Sequence, residues 1–360
     1  MSRIRVLVVD DSAFMRKVIS DIISRQLDME VVGTASNGME ALDAIKEIKP
    51  DVVTMDVEMP VLNGLEALPV IMKEEPLPVI MLSRLTQSGA DATLKALQEG
   101  AFDFVPKPSG SNSLDINMVA TELVGKIRAA AGTGRKLQML AWPQRKDRVV
   151  PPVKKAAVSS KLERIVLIGT STGGPRALYE VIPQLPGDLA AAVLVVQHMP
   201  PGFTKSLAER LNSVSSLTVK EAENGEQIKP SYVYIAPGDY HMKVKRAVVA
   251  STNNLNINLT QEKAVSGHRP SVDVMIESVV SEFWSHMVGV IMTGMGQDGA
   301  RGVMGIKSKG GKVIAQDQGT CIVYGMPKAV VQAGNADAVV GLGQIAKEIV
   351  YFLKPGGDLL

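Results

Sequence analysis

Short apolar runs alternate with longer amphipathic ones in two separate stretches of the chain. In the first stretch Ile4–Val9, Val52–Met55, Val79–Leu82 and Phe102–Val105 are rich in β-branched residues, as strands buried on both faces are. Between them Ala13–Arg25, Gly38–Ile48, Gly64–Lys73, Gly89–Gly100 and Asn117–Ala131 follow a helical period, several with Gly or Pro at their ends. The order predicts βα repeated five times. From residue 162 to 354 the pattern resumes with strand-like Ile165–Ile168, Val193–Val196, Tyr232–Ile235, Val288–Met292 and Lys312–Ala315. Within it Met242–Ser251 and Leu255–Leu259 flank Asn253-Asn254 and read as a hairpin. The expected fold class is α/β: an N-terminal (βα)5 domain over 1–131, then a doubly wound, mostly parallel sheet carrying an antiparallel hairpin over 162–354.

Between the two, from Gly132 to Ser160, the periodicity fades and Gly, Pro and basic residues take over, as in Arg145-Lys146-Asp147-Arg148 and Pro151-Pro152-Val153-Lys154-Lys155. A stretch of this kind buries little and suits a connector. It reads as a solvated spacer over 132–161, or as a docking segment for an acidic partner.

Composition narrows the class. At 360 residues the chain has room for two cores, and 46% hydrophobic residues with 4% aromatic ones suit parallel sheets. A net charge of +2 argues against nucleic acid as the main partner. One cysteine, Cys321, excludes an internal disulfide and fits a reducing compartment. No apolar run is long enough to insert in a membrane, and Asp10-Asp11 arrive too early for a secretory signal. The expectation is a soluble cytoplasmic monomer.

Ligands of such sheets bind beyond the carboxyl ends of the strands. In the first domain those ends carry Asp10 and Asp11, Asp56, Ser83 and Lys107. Three converging carboxylates repel one another unless a cation joins them, and a hard oxygen site suits Mg²⁺. A lysine and a hydroxyl opposite would contact the oxygens of a phosphoryl group in transit. Taken singly, each Asp also suits a helix cap.

Residues 1–131 resemble a response-regulator receiver domain through Val8-Val9-Asp10-Asp11-Ser12, Met55-Asp56-Val57-Glu58-Met59-Pro60, Asn63-Gly64 and Lys107-Pro108. The resemblance implies Asp56 as phosphoacceptor, Mg²⁺ held by Asp10, Asp11 and Asp56, and Ser83 and Lys107 as phosphate and switch contacts. Three residues before the lysine stands Phe104, which packs but has no hydroxyl to donate.

In the second domain, three loops follow apolar runs: Gly169-Thr170-Ser171-Thr172-Gly173-Gly174, Gln197-His198-Met199-Pro200 and Thr293-Gly294-Met295-Gly296-Gln297-Asp298-Gly299. If their strands are parallel neighbours, Ser171, His198 and Asp298 meet at one edge. That is the inventory for acyl transfer: a hydroxyl attacks, an imidazole takes its proton, and a carboxylate orients the imidazole. Gly169-Thr170-Ser171-Thr172-Gly173 also fits the G-x-S-x-G pattern, although the same residues suit a cap and a turn. The three other histidines are His241, His268 and His286.

Together the loops resemble the catalytic domain of the chemotaxis receptor methylesterases. That likeness implies Ser171 as nucleophile, His198 as general base and acid, Asp298 as orienting carboxylate, and the backbone N–H of Met295 in an oxyanion hole. It further implies methyl-accepting chemoreceptors as substrate, a chemotaxis histidine kinase as phosphodonor, and no cofactor in the catalytic domain. Methyl esters of glutamate would be hydrolysed and glutamines deamidated, with the resting receiver covering the triad edge. Gly267-His268-Arg269-Pro270-Ser271-Val272-Asp273 and Tyr324-Gly325-Met326-Pro327 are similar to family stretches near the substrate, with His268 substrate-side or structural. A receiver-regulated nucleotide-binding output is the alternative, but the Gly169 loop lacks G-x-G-x-x-G and Gln197-His198 stands where a ribose-binding acid is expected.

Overall fold

A computed structural model describes residues 3–107, 113–133, 162–246, 255–283 and 285–354, with backbone alone for 113–118. The linker expected over 132–161 lies almost wholly outside the described residues, as do Pro108 and the 247–254 turn of the expected hairpin. The chain divides into two compact units, Met1–Gln144 and Arg145–Leu360.

The first unit runs β1 (Ile4–Val9), α1 (Ala13–Ser24), β2 (Met29–Ala35), α2 (Gly38–Ile48), β3 (Val52–Asp56), α3 (Gly64–Glu74), β4 (Val79–Ser83), α4 (Gln87–Gln98), β5 (Asp103–Pro106) and α5 (Ser113–Thr133). Its five strands are parallel in the order β2-β1-β3-β4-β5. The apolar runs form the buried central strands, whereas β2 has no apolar run to announce it because most of its residues are only half-buried. Helix α4 starts at Gln87 rather than Gly89, because the Thr86 side chain caps it by accepting from Gly89 N at 3.0 Å. Asn63 and Glu66 form a capping box that starts α3 just past the loop that follows Asp56.

The second unit contains β6 (Arg164–Thr170), α6 (Gly174–Val181), β7 (Ala192–Gln197), α7 (Phe203–Val214), β8 (Thr218–Glu221), β9 (Tyr232–Ile235), β10 (His241–Arg246), β11 (Leu255–Thr260), α8 (Val272–Glu282), β12 (His286–Ile291), α9 (Gly302–Ser308), β13 (Lys312–Gln316), α10 (Met326–Gln332), β14 (Ala338–Val340) and α11 (Ile345–Phe352). Seven strands make one parallel sheet, β14-β13-β12-β6-β7-β9-β8, and β10 and β11 pair antiparallel. The strands not foreseen, β8 and β14, are the two edges, where short, partly exposed segments carry little apolar signal. At the centre β6 and β7 are fully or nearly fully buried from Ile165 to Gln197's strand end. Chain order reverses across β6: the next strand, β7, lies on one side, and β12 on the other. The carboxyl edge at such a reversal opens a crevice.

Candidate active site

Backbone bonds extend the central ladder past its strands and bring the three loops together. His198 N donates to Thr170 O at 3.1 Å, while Ser171 N donates to Thr293 O at 3.0 Å. Ser171 therefore sits between the ends of β7 and β12, half-buried. The fit to the β12 loop is close: a Cβ on Gly294 would stand 2.9 Å from Ser171 Cβ, so a side chain there would push on the serine. The Gly294 carbonyl accepts from Gly325 N and Met326 N at 3.1 and 2.9 Å. In a trans peptide the next N–H, that of Met295, is directed away from those donors.

His198 and Asp298 are paired. His198 Nε2 lies 2.8 Å from Asp298 Oδ2, with the side chains 5% and 2% exposed. Asp298 Oδ2 also accepts from Val272 N at 2.7 Å; Oδ1 accepts from Ser271 Oγ at 2.9 Å and Asp273 N at 3.0 Å. Four donors fill the carboxylate, two of them first-turn amides of α8. Burial pushes its pKa up, but the His198 bond and charge and the amide donors outweigh burial and hold it at about 2. An ionised carboxylate only accepts, so Nε2 carries a proton, and in the neutral imidazole it is Nδ1 that has the lone pair. Nδ1 is buried and has no hydrogen-bond partner among the described residues.

The expected substrate-edge stretch 267–273 supports this pair. His268 stacks on His198 with ring centroids 3.9 Å apart and planes 9° apart. Ser271 caps α8 and simultaneously donates to Asp298. Asp273 returns the arrangement: its Oδ1 accepts from Gly299 N and Gly302 N at 2.9 and 2.7 Å, fastening the Asp298 loop to α8. Sequence reading missed Ser271's part in holding the acid, although a serine before an apolar run is a cap signal. It also gave no part to His241, which is fully buried: Nδ1 accepts from Ser271 N at 3.2 Å, so Nε2 donates to Lys263 O at 3.1 Å.

The first unit gathers all its predicted residues at one strand edge. Lys107 Nζ stands 2.6 Å from both Asp10 Oδ2 and Asp56 Oδ2. Asp10, Asp11 and Asp56 offer ligand oxygens all within 4.8 Å of one another. Burial raises the Asp56 pKa above its ordinary value, and Asp10 adds to the rise against the pull of Lys107. Ser83 is buried at the end of β4; its hydroxyl donates to Gly89 O at 3.1 Å, and its carbonyl accepts from Lys107 N at 2.7 Å. Phe104 is buried, with Lys126 Nζ 5.1 Å above its ring. No helix among the described residues is long and apolar enough to cross a membrane.

One sheet edge that gathers three carboxylates, a hydroxyl and a lysine and a second that carries a buried histidine–carboxylate pair fit a response regulator with an enzymatic output. Residues 6–118 match the response regulator receiver domain family and residues 166–349 the CheB methylesterase family. The protein-glutamate methylesterase/protein-glutamine glutaminase 1 of Syntrophomonas wolfei is 54% identical over 358 residues, covering 98% of this chain and 100% of that relative. The Thermotoga maritima relative of that activity name is 50% identical over 347 residues, 96% of this chain and 98% of its own. The crystal structure of the Thermotoga maritima CheB methylesterase catalytic domain aligns with a TM-score of 0.51 at 46% identity, covering 54% of this chain and 100% of that one. The chain belongs to the family of receiver-linked CheB methylesterases.

Proposed function

We propose that this protein demethylates glutamate methyl esters on the cytoplasmic helices of chemoreceptors, deamidates glutamines at the same site, and is activated by phosphorylation. The His198–Asp298 pair carries the reading: one imidazole nitrogen is engaged by an ionised carboxylate, and the other is buried and without a hydrogen-bond partner among the described residues, on the loop next to that of Ser171. Ser171 Oγ attacks the γ-carbonyl carbon and gives its proton to His198 Nδ1, while the carbonyl electron pair moves onto oxygen. The Met295 N–H donates to that oxyanion. Collapse breaks the ester C–O bond, and the proton on Nδ1 leaves with methanol. Water, deprotonated by Nδ1, then attacks the acyl-serine, freeing glutamate and restoring the hydroxyl. From glutamine the same steps release ammonia.

In the receiver, Asp56 takes a phosphoryl group from a chemotaxis histidine kinase, and Lys107 and Ser83 contact its oxygens. Asp10, Asp11 and Asp56 fit Mg²⁺: they are hard oxygen donors gathered within one ion's reach, and burial leaves Asp56 short of counter-charge. The ion would supply positive charge against the phosphoryl oxygens. Phosphorylation frees the catalytic domain from inhibition by the receiver, a shift between two populations. We read the domain limits as 1–131 and 162–354, and the protein as a cytoplasmic monomer.

Methanol release from methylated receptor, with and without a small phosphodonor, tests both halves. Ser171→Ala is expected to abolish release in either condition. Asp56→Asn is expected to keep the basal rate and lose the stimulation. Equal stimulation of wild type and Asp56→Asn would sink the assignment of Asp56, and release by folded Ser171→Ala would sink the nucleophile.

A further inference from the structure

Gln197 ends β7, is 2% exposed, and has no part in the steps above. Its Nε2 donates one hydrogen to the Ser171 carbonyl at 3.0 Å and the other to the His198 carbonyl at 3.1 Å. A single planar amide thereby holds the backbone of both the serine and the histidine. The Ser171 carbonyl also accepts from Gly174 N at 2.7 Å, so it is fixed from two directions. The amide's orientation is determined: exchanging its oxygen and nitrogen would set Oε1 against two carbonyl oxygens.

Holding that orientation has a cost. Oε1 is buried with no hydrogen-bond partner among the described residues, packed where a Cβ on Gly174 would collide with it. An unsatisfied buried acceptor destabilises the fold, and a methionine would fill the same space without one. What the amide supplies and an apolar side chain cannot is a common anchor for two loops on adjacent strands. Those loops also meet through the backbone, where His198 N donates to Thr170 O at 3.1 Å.

We propose that Gln197 is a positioning residue that fixes the separation of the Ser171 hydroxyl and His198 Nδ1 before substrate arrives. The inference rests on the reading of Ser171 and His198 as nucleophile and base. Errors of about 1 Å in such a pair cost on the order of 10²-fold in rate. The full-length enzyme carrying Gln197→Met is therefore expected to lose at least about tenfold in kcat, with KM for the methyl ester within about threefold of wild type. Labelling of Ser171 by a serine-directed phosphonate should slow in parallel. Gln197→Glu, of the same shape, repeats the test should the methionine variant not fold; it sets a carboxylate against both carbonyls and should lose at least as much.

Ser171→Ala in the same assay separates the two ideas. If Ser171→Ala is inactive while the folded Gln197 variant keeps more than a tenth of wild-type kcat, or changes only KM or thermal stability, the positioning role is overturned and the triad stands. If Ser171→Ala is active, the triad reading itself falls, and this inference with it.

Discussion

Two buried aspartates stand at equivalent places in two similar parallel sheets, and their surroundings drive them in opposite directions. Asp56, at the end of β3, shares its pocket with Asp10 and has its pKa raised, even with Lys107 at 2.6 Å. Asp298, beyond β12, is as buried, yet four donors including two amides from the start of α8 hold it at about 2. Burial alone therefore does not decide the charge of a carboxylate; the count of donors aimed at it does. The first arrangement leaves a site hungry for positive charge, suited to a cation and a phosphoryl group. The second makes a permanent anion that sets the tautomer of a histidine.

The comparison breaks most sharply at the serine. Replacing Ser171 with Ala should lower turnover by on the order of 10⁴ to 10⁶, His198→Ala should cost about as much, and the double variant little more. Methanol release by the three purified variants measures this; additive losses would show that the two residues do not act as a unit.

A smaller effect tests the anion. Asp298 has a folded pKa of about 2, below the ordinary carboxylate range, so its contribution to stability is complete above about pH 4 and is lost as pH falls through about 2. The window is worth about 2 kcal/mol. Asp298→Asn should therefore flatten the pH dependence of catalytic-domain unfolding between about pH 4 and 2 by that amount, as urea titrations would read. An unchanged slope would mean that Asp298 is not held as an anion.

The receiver edge gives the smallest shift and the opposite sign. Because the Asp56 pKa is raised, the folded receiver favours the protonated carboxyl, and its stability falls as pH rises through the ordinary carboxylate range. Added Mg²⁺ should relieve this, by about 1.4 kcal/mol at ten times its Kd. Thermal melts with and without a chelator should separate for wild type and draw together in Asp11→Asn. Equal shifts in both would remove Asp11 from the ion's site.

The buried centre of each sheet was readable from the chain because β-branched runs have few other uses, and loops that follow such runs must reach the carboxyl edge. That places Asp10, Asp56, Lys107, Ser171, His198 and Asp298 at strand ends from the sequence alone. The half-exposed β2 and the edge strands β8 and β14 escaped because partial burial leaves no continuous apolar signal. The supporting contacts escaped for a different reason. Gln197's hydrogen bond to the Ser171 carbonyl, Ser271's bond to Asp298 and the stacking of His268 on His198 depend on three-dimensional approach between residues 26 to 70 apart in sequence, which no local pattern encodes.

The reciprocal fastening of Asp298 to α8 and of Asp273 to the Asp298 loop has a kinetic consequence. These bonds join positions 25 to 29 residues apart, so the acid reaches its histidine only once α8, β12 and the start of α9 have docked together. During refolding, catalytic competence should thus return with the last cooperative docking of this segment rather than with early helix formation, and esterase activity becomes a clock for tertiary assembly that no spectroscopic label need perturb.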